Sequence, residues 1–297
     1  MVRLALNEQL NENSTQKNIL VTGGSGFVGK ALLPLIKSKY SYFALASKDM
    51  DLLGGAAELD LYVKENMISH IVHLANPRVY TSNKSLGSTL TMLRNILEVC
   101  KNNKIALVYP SGWEIYSGYA SSYLMADESL PPNPKGPYGE TKWLCETLIN
   151  MYIEKYNLKC AILRSSPLYG IGGERPKFIW SFIESASKSL PIKTHNFLNG
   201  SPGLDLMYVD DFCNAIIAVL DNNYFGRLNF GTGRLISTKK VAEIICDYVH
   251  SSSTIESVDI SEYAPNVAMD SSLARDVLNW GALVQFEDGV KKLIHFV

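Results

Sequence analysis

The stretch ILVTGGSGFVG, residues 19–29, decides how this chain is read. Ile19, Leu20 and Val21 form an apolar run of strand length, Gly23, Gly26 and Gly29 follow at three-residue spacing, and ALLPLIKSK (31–39) continues with helical spacing. Strand, tight turn and helix N-terminus in that order form a phosphate-approach turn. Glycine serves such a turn in three ways: it allows a positive backbone angle, it lets a pyrophosphate touch the main chain, and it lets the helix pack close on the strand. The implied ligand is a dinucleotide.

Working outward, the same alternation repeats. Residues 42–46 read as a second strand, 56–66 as a helix, 70–75 (IVHLA at its core) as a buried strand, 86–100 as a helix and 105–109 as the next strand, closed by Pro110, Ser111 and Gly112. This is the pattern of a doubly wound parallel sheet in an α/β protein. An irregular segment, 113–137, precedes a helix over 138–156 and a strand over 160–163. Beyond Arg164 the rhythm changes: a glycine-rich loop, a helix over 178–187, a short strand over 206–209, a helix over 210–220 capped by Asp210 or Asp211, the strand-like LNFGTG and a helix over 238–249. With neither a repeat nor a low-complexity linker, the two lobes are expected to interweave. The expected division is a flexible N-terminal extension over 1–17, a dinucleotide-binding domain over 18–164 to which 206–224 returns, and a smaller substrate lobe over 165–205 and 225–297.

The 297 residues carry 28 basic and 29 acidic side chains, a balance that points to neither nucleic acid nor an anionic membrane surface. Cys100, Cys145, Cys160, Cys213 and Cys246 are odd in number and free of CxxC spacing, which suggests neither a disulfide framework nor a metal site. No apolar run reaches the roughly 18 residues of a membrane span, and the N-terminus turns polar too soon for a signal sequence. The expected location is cytoplasmic.

Tyr138 and Lys142 lie four apart, on one face of the expected helix at the open edge of the sheet. A nearby ammonium favours the phenolate and brings a tyrosine toward acid–base work at neutral pH. Tyr80 and Lys84 share that spacing but follow the third strand in a polar loop, so context selects Tyr138 and Lys142 as the catalytic pair.

From residue 19 onward the chain resembles the extended short-chain dehydrogenase/reductases, the NAD-dependent epimerase/dehydratase family that modifies nucleotide sugars. The resemblance is carried by TGGSGFVG (22–29), HLAN (73–76), SGWEIYSG (111–118), YGETK (138–142), LRSSPLYG (163–170), MYVDDFCNAI (207–216), NFGTGR (229–234) and MDSSLARDVLNWG (269–281). It implies a Rossmann-type sheet with an interwoven C-terminal substrate lobe, and an NAD(P)-dependent enzyme in which Tyr138 moves a sugar hydroxyl proton as hydride passes to or from the nicotinamide. By the same resemblance Lys142 holds the nicotinamide ribose, Gly23, Gly26, Phe27 and Val28 cradle the pyrophosphate, and Leu74, Ala75 and Asn76 line the cofactor. A homodimer formed through the helices over 86–100 and 138–156 is also implied.

Departures from the family pattern narrow the chemistry. A serine or threonine is expected four residues before Tyr116, and Gly112 stands there; neighbouring Ser111 is the candidate to supply the hydroxyl. Glu114 falls where related dehydratases keep a carbon-acid base, yet the acid that precedes it in those enzymes is here Trp113, which favours epimerisation or keto reduction over water elimination. Leu204, Pro167 and Ala264 replace an arginine, an asparagine and a second arginine that hold the nucleotide, with Arg78, Arg175 and Arg234 as alternative partners of a diphosphate. At the end of the second strand Ser47 and Lys48 precede Asp49 and Asp51, a phrase similar to the NADP-using GDP-fucose synthase branch; Asp51 and Leu52 then lie near the adenine, and the cofactor is NADP or NAD with a lean to NADP. The expected function is an epimerase or ketoreductase acting on a nucleotide-linked sugar. A sugar-nucleotide dehydratase and a non-catalytic dinucleotide-binding sensor are the alternatives.

Overall fold

The computed structural model describes residues 17–77, 82–173 and 178–296. In chain order it contains β1 (Asn18–Thr22), α1 (Phe27–Lys39), β2 (Ser41–Leu45), α2 (Ala57–Glu65), β3 (His70–His73), α3 (Asn83–Asn103) and β4 (Ala106–Gly112). A 3-10 turn (Trp113–Tyr116) leads to β5 (Leu124–Ala126), α4 (Pro137–Tyr156), β6 (Cys160–Ser165), β7 (Leu168–Tyr169), α5 (Phe178–Ser187), β8 (Ile192–Phe197), β9 (Gly203–Leu204) and β10 (Met207–Tyr208). There follow α6 (Val209–Asn222), β11 (Gly226–Phe230), β12 (Ile236–Ser237), α7 (Thr238–Val249), β13 (Ile255–Ile260), β14 (Val267–Met269), α8 (Ser272–Leu278) and α9 (Phe286–His295).

Six strands form one sheet in the order β11-β6-β4-β3-β1-β2, every neighbouring pair parallel. From β1 the chain goes outward to β2 and then returns to β3 on the other side, so the strand order reverses between β1 and β3. In sheets of this kind the crevice at that reversal, beyond the C-terminal strand ends, is where ligands bind.

Strand periodicity divides the core in two. Ile19, Val21, Val72, Val108, Ala161 and Leu163 face a cluster shared with α1, α6 and the C-terminal helices, while Leu20, Ile71, Leu107 and Ile162 face one shared with α2, α3 and α4. Covered on both faces, these strands need the continuous apolar runs that the sequence provides. Leu93 and Ile96 of α3 are fully buried in the second cluster, and shortening Leu93 to alanine is expected to cost about 2–5 kcal/mol.

The helix boundaries have local causes. Ser82 and Ser85 form a reciprocal capping box at the start of α3, and Lys104 closes it in the left-handed region at φ 57°. Pro137 opens α4 in the first turn, where its missing N–H has no partner to lose, and Asn157 ends it. The cap of α6 differs from expectation: Tyr208 is the N-cap, and Asp211 instead accepts a hydrogen bond from the Val284 N–H at 3.0 Å.

The lobe boundary also needs correction. Residues 226–230, assigned above to the substrate lobe, form β11 and pair with β6 at the edge of the main sheet. Conversely β5, inside the long segment between β4 and α4, pairs with β14. Around that pair Ile115, Tyr116, Ala126, Val267 and Met269 form a small separate core, which orders a segment that reads as irregular from sequence.

Candidate active site

The glycine turn stands at the β1–β3 reversal. Gly23 has φ +72°, and a Cβ on it would lie 2.6 Å from the Ala75 nitrogen and 2.7 Å from the Leu74 carbonyl carbon. Only a residue without a side chain lets β1 approach the chain leaving β3 this closely. A Cβ on Gly29 would come within 2.6 Å of the Gly23 oxygen and the Gly24 Cα, so that glycine lets α1 pack on the turn. Gly26 is the N-cap of α1, and the first turn, Phe27 to Lys30, contains no acid to oppose an anion at the positive end of the helix. These features fit a pyrophosphate.

Leu74, Ala75 and Asn76 form the opposing wall. The Leu74 N–H donates to the Thr22 carbonyl at 3.0 Å, and the Asn76 Oδ1 accepts from the Thr89 hydroxyl at 3.2 Å. At the end of β2, the Asp49 carboxylate is tied down by the Ala46 N–H at 2.9 Å and that of Asp51 by the Leu53 N–H at 2.9 Å. Ser47 and Lys48 stay exposed, whereas Leu52 is buried, with its carbonyl accepting from Asn95 Nδ2 at 2.8 Å.

Tyr138 and Lys142 come together on the first turns of α4, the Lys142 Nζ lying 5.7 Å from the centre of the Tyr138 ring. Lys142 donates to the Pro110 carbonyl at 2.9 Å and lies 5.1 Å from the centre of the Tyr109 ring. Burial lowers its pKa, opposed by the nearby Cys145, Glu114 and Glu146. Beneath it the buried His73 ring is 2.7 Å from the Thr22 hydroxyl and stacks on Tyr109 at 6.3 Å. Burial, aided by the charge of Lys142, lowers the His73 pKa to about 3 and keeps the ring neutral.

One turn further along α4 is Glu146, a residue whose role the motif reading missed although it continues the four-residue spacing of Tyr138 and Lys142. It is fully buried and bound by Arg164, with Nη2 to Oε2 at 2.7 Å and Nε to Oε1 at 3.0 Å. Arg164 Nη1 in turn donates to the Tyr116 hydroxyl at 2.5 Å, so the ion pair anchors the 3-10 turn against α4 and β6. The expectation for Ser111 is corrected by the same cluster. Its hydroxyl donates to Glu146 Oε1 at 2.6 Å, so its one proton is directed at the ion pair.

At Gly112 the space of a side chain is already filled: a Cβ built there would fall on the Glu114 Oε2. Glu114 also lines a cavity of about 180 Å³ together with Phe27, Pro167, Tyr169, Trp180 and Leu206. That cavity therefore touches both the glycine turn and the turn before α4. The positions that depart from the family pattern have structural places: Pro167 accepts the Met207 N–H at 3.0 Å, Leu204 pairs with Ile236, and Ala264 is buried with its N–H donating to Asn199 Oδ1 at 2.9 Å. Arg234 is exposed on the loop after β11, while Arg78, Arg175 and Tyr80 lie outside the described residues.

A doubly wound sheet with a glycine cradle at its strand reversal, and a tyrosine and lysine on the helix beside it, defines a dinucleotide-binding α/β protein. The chain belongs to the NAD dependent epimerase/dehydratase family, whose pattern matches residues 19–231. It is 28% identical over 242 residues to a UDP-glucuronate 4-epimerase of Thermodesulfobacterium geofontis, covering 77% of this chain and 72% of that protein. It is 24% identical to a dTDP-4-dehydro-6-deoxyglucose reductase of Escherichia coli, covering 95% and 98%. Among solved structures, the NAD complex of UDP-glucose 4-epimerase from Thermus thermophilus superposes with a TM-score of 0.82 at 22% identity, covering 94% of this chain and 98% of that one.

Proposed function

We propose that this protein is an NAD(P)-dependent epimerase or ketoreductase acting on a nucleotide-linked sugar. The observation that carries the proposal is the Tyr138–Lys142 pair beside a glycine cradle that has no room for side chains. Tyr138 takes the proton of a sugar hydroxyl as the carbon is oxidised, or returns it as a carbonyl is reduced. Lys142, steered by the Pro110 carbonyl, binds the nicotinamide ribose and favours the tyrosinate by its charge. Gly23, Gly26, Phe27 and Val28 hold the pyrophosphate, with Leu74, Ala75 and Asn76 behind it. A bound nicotinamide supplies the hydride acceptor and donor. Relatives of this chain that carry epimerase and reductase names support both directions. Trp113, in place of the acid that precedes the base of dehydratases, makes water elimination the weaker reading.

Replacing Tyr138 with phenylalanine is expected to lower turnover by roughly 10²- to 10⁴-fold with dinucleotide affinity unchanged. Nicotinamide absorbance and product mass over a panel of sugar nucleotides provide the measurement, and full turnover by the variant refutes the assignment. A wild-type protein that binds cofactor tightly and is silent on the panel supports a sensor in its place.

NADP as the preferred cofactor is supported by the end of β2, where Asp49 and Asp51 bond their own turn while Ser47 and Lys48 remain exposed to a 2′-phosphate. Equal affinity for NAD and NADP would remove that preference. A homodimer is supported by the apolar groove of about 500 Å³ between α3 and α4, lined by Leu90, Arg94, Leu144, Thr147 and Met151. Leu144 and Met151 are 42% and 49% exposed there, and a monomer mass in sedimentation would count against the pairing. A cytoplasmic setting is supported by the free, buried state of the five cysteines. Among the described residues no helix is long and apolar enough to cross a membrane.

A further inference from the structure

Resting on that reading, we propose that the Glu114 carboxylate does the work of the hydroxyl missing at Gly112: it hydrogen-bonds the reacting oxygen of the sugar beside Tyr138. Three observations converge on it. The volume of a side chain at position 112 is occupied by Glu114 Oε2, with the Cδ 3.4 Å from where a Cβ would be, so a carboxylate stands where the family keeps a serine or threonine. Glu114 is also held beside the tyrosine. A Cβ on Gly139, the residue after Tyr138, would lie 2.5 Å from the Glu114 carbonyl oxygen, which brings the start of α4 directly onto the Glu114 backbone. Finally, the carboxylate is close enough to Lys142 to oppose the lowering of its pKa, and it lines the cavity that reaches Phe27 of the glycine turn. The competing hydroxyl, Ser111, is engaged by Glu146.

The exchange has a chemical consequence. A serine hydroxyl both donates and accepts, whereas an ionised carboxylate only accepts. Glu114 therefore accepts a hydrogen bond from the sugar hydroxyl before reaction, and that single proton turns from Glu114 to the Tyr138 oxygen as the carbon is oxidised, so that the carboxylate binds the hydroxyl form of the substrate in preference to the carbonyl form. This role differs from that of a carbon-acid base: it depends on the oxygen at this location, and a hydroxyl regrafted onto position 112 can replace it.

The experiment compares wild type, Tyr138→Phe, Glu114→Ala, Glu114→Gln and the double variant Gly112→Ser/Glu114→Ala, measuring thermal melting, dinucleotide affinity, and turnover of the sugar nucleotide that the wild type uses. Glu114→Ala is expected to lose about tenfold to hundredfold in kcat with dinucleotide affinity unchanged. The double variant, in which the departed carboxylate leaves room for the new hydroxyl, is expected to regain most of that loss. Should the double variant fail to fold, Glu114→Gln carries the test, since its amide keeps a hydrogen-bonding oxygen and should lose no more than about tenfold. Turnover by Glu114→Ala within twofold of wild type overturns the proposal. So does a loss that neither the double variant nor Glu114→Gln restores, or a parallel loss of dinucleotide affinity. A wild type no more active than Tyr138→Phe instead removes the functional reading itself, and this proposal with it.

Discussion

The two walls of the crevice between β1 and β4 are built by different means. On the β1–β3 wall the main chain makes the site: Gly23 and Gly29 bring backbone within 2.6 Å of where side chains would be, and Leu74 to Asn76 pass close behind. On the wall formed by the 3-10 turn, the start of α4 and the segment after β6, side chains make the site. There Pro167 lines the cavity, and Glu114 fills the space that a side chain at Gly112 would take. A wall made of backbone tolerates little exchange, because what it offers is its shape. A wall made of side chains can be altered one group at a time while the fold stays the same.

The largest expected effect falls on the backbone wall. Gly23→Val forces a branched residue into φ +72° and drives its Cβ into the Leu74–Ala75 main chain, and dinucleotide affinity in a fluorescence titration should fall at least about a hundredfold. Affinity retained within twofold would erase the distinction between the walls. Next comes the brace within the second wall. Glu146→Ala leaves Arg164 buried without its carboxylate and should cost about 3–5 kcal/mol in urea unfolding; a loss below about 1 kcal/mol would show that the ion pair does not hold the 3-10 turn against α4.

A pH effect of intermediate size belongs to the floor beneath the cofactor wall. His73 has its pKa lowered from 6.5 to about 3 in the folded state, so the unfolded chain takes up the proton first as pH falls. Its contribution is complete above pH 6.5 and is lost toward pH 3, at about 1.4 kcal/mol per unit. Equilibrium unfolding of wild type and His73→Gln between pH 7 and 4 measures this, and the variant should show the shallower dependence. The smallest effect is expected at Pro167→Ala and Leu204→Ala, which should change dinucleotide affinity by no more than about twofold while shifting the KM for the sugar nucleotide. A larger cofactor effect would mean that the second wall also shapes the first.

Much of the cofactor wall is legible in the chain because its information is local. The spacing of Gly23, Gly26 and Gly29 after Ile19–Val21, and of Tyr138 and Lys142 on one helix, lies within single elements whose periodicity the side chains reveal. What sequence reading placed wrongly depends on distant partners. Ser111 reads as a neighbour of the missing hydroxyl, but its direction is decided by Glu146 and Arg164 on two other elements. Residues 226–230 read as part of a second lobe because the next strand of the sheet follows a long excursion, and only pairing with β6 brings them back. The filled space at Gly112 is the hardest to foresee, since a glycine records the absence of a side chain and says nothing of what occupies its place.

The pairing of β5 with β14 bears on how the protein is made. Residues 124–126 lie in the segment that joins Glu114 to Tyr138, yet their strand partner is residues 267–269. At about 5–20 residues per second, a ribosome spends several seconds or more between the two. Through that interval the segment between Glu114 and Tyr138 has no partner strand to settle on. That segment therefore takes its final place only once residues 267–269 have been made.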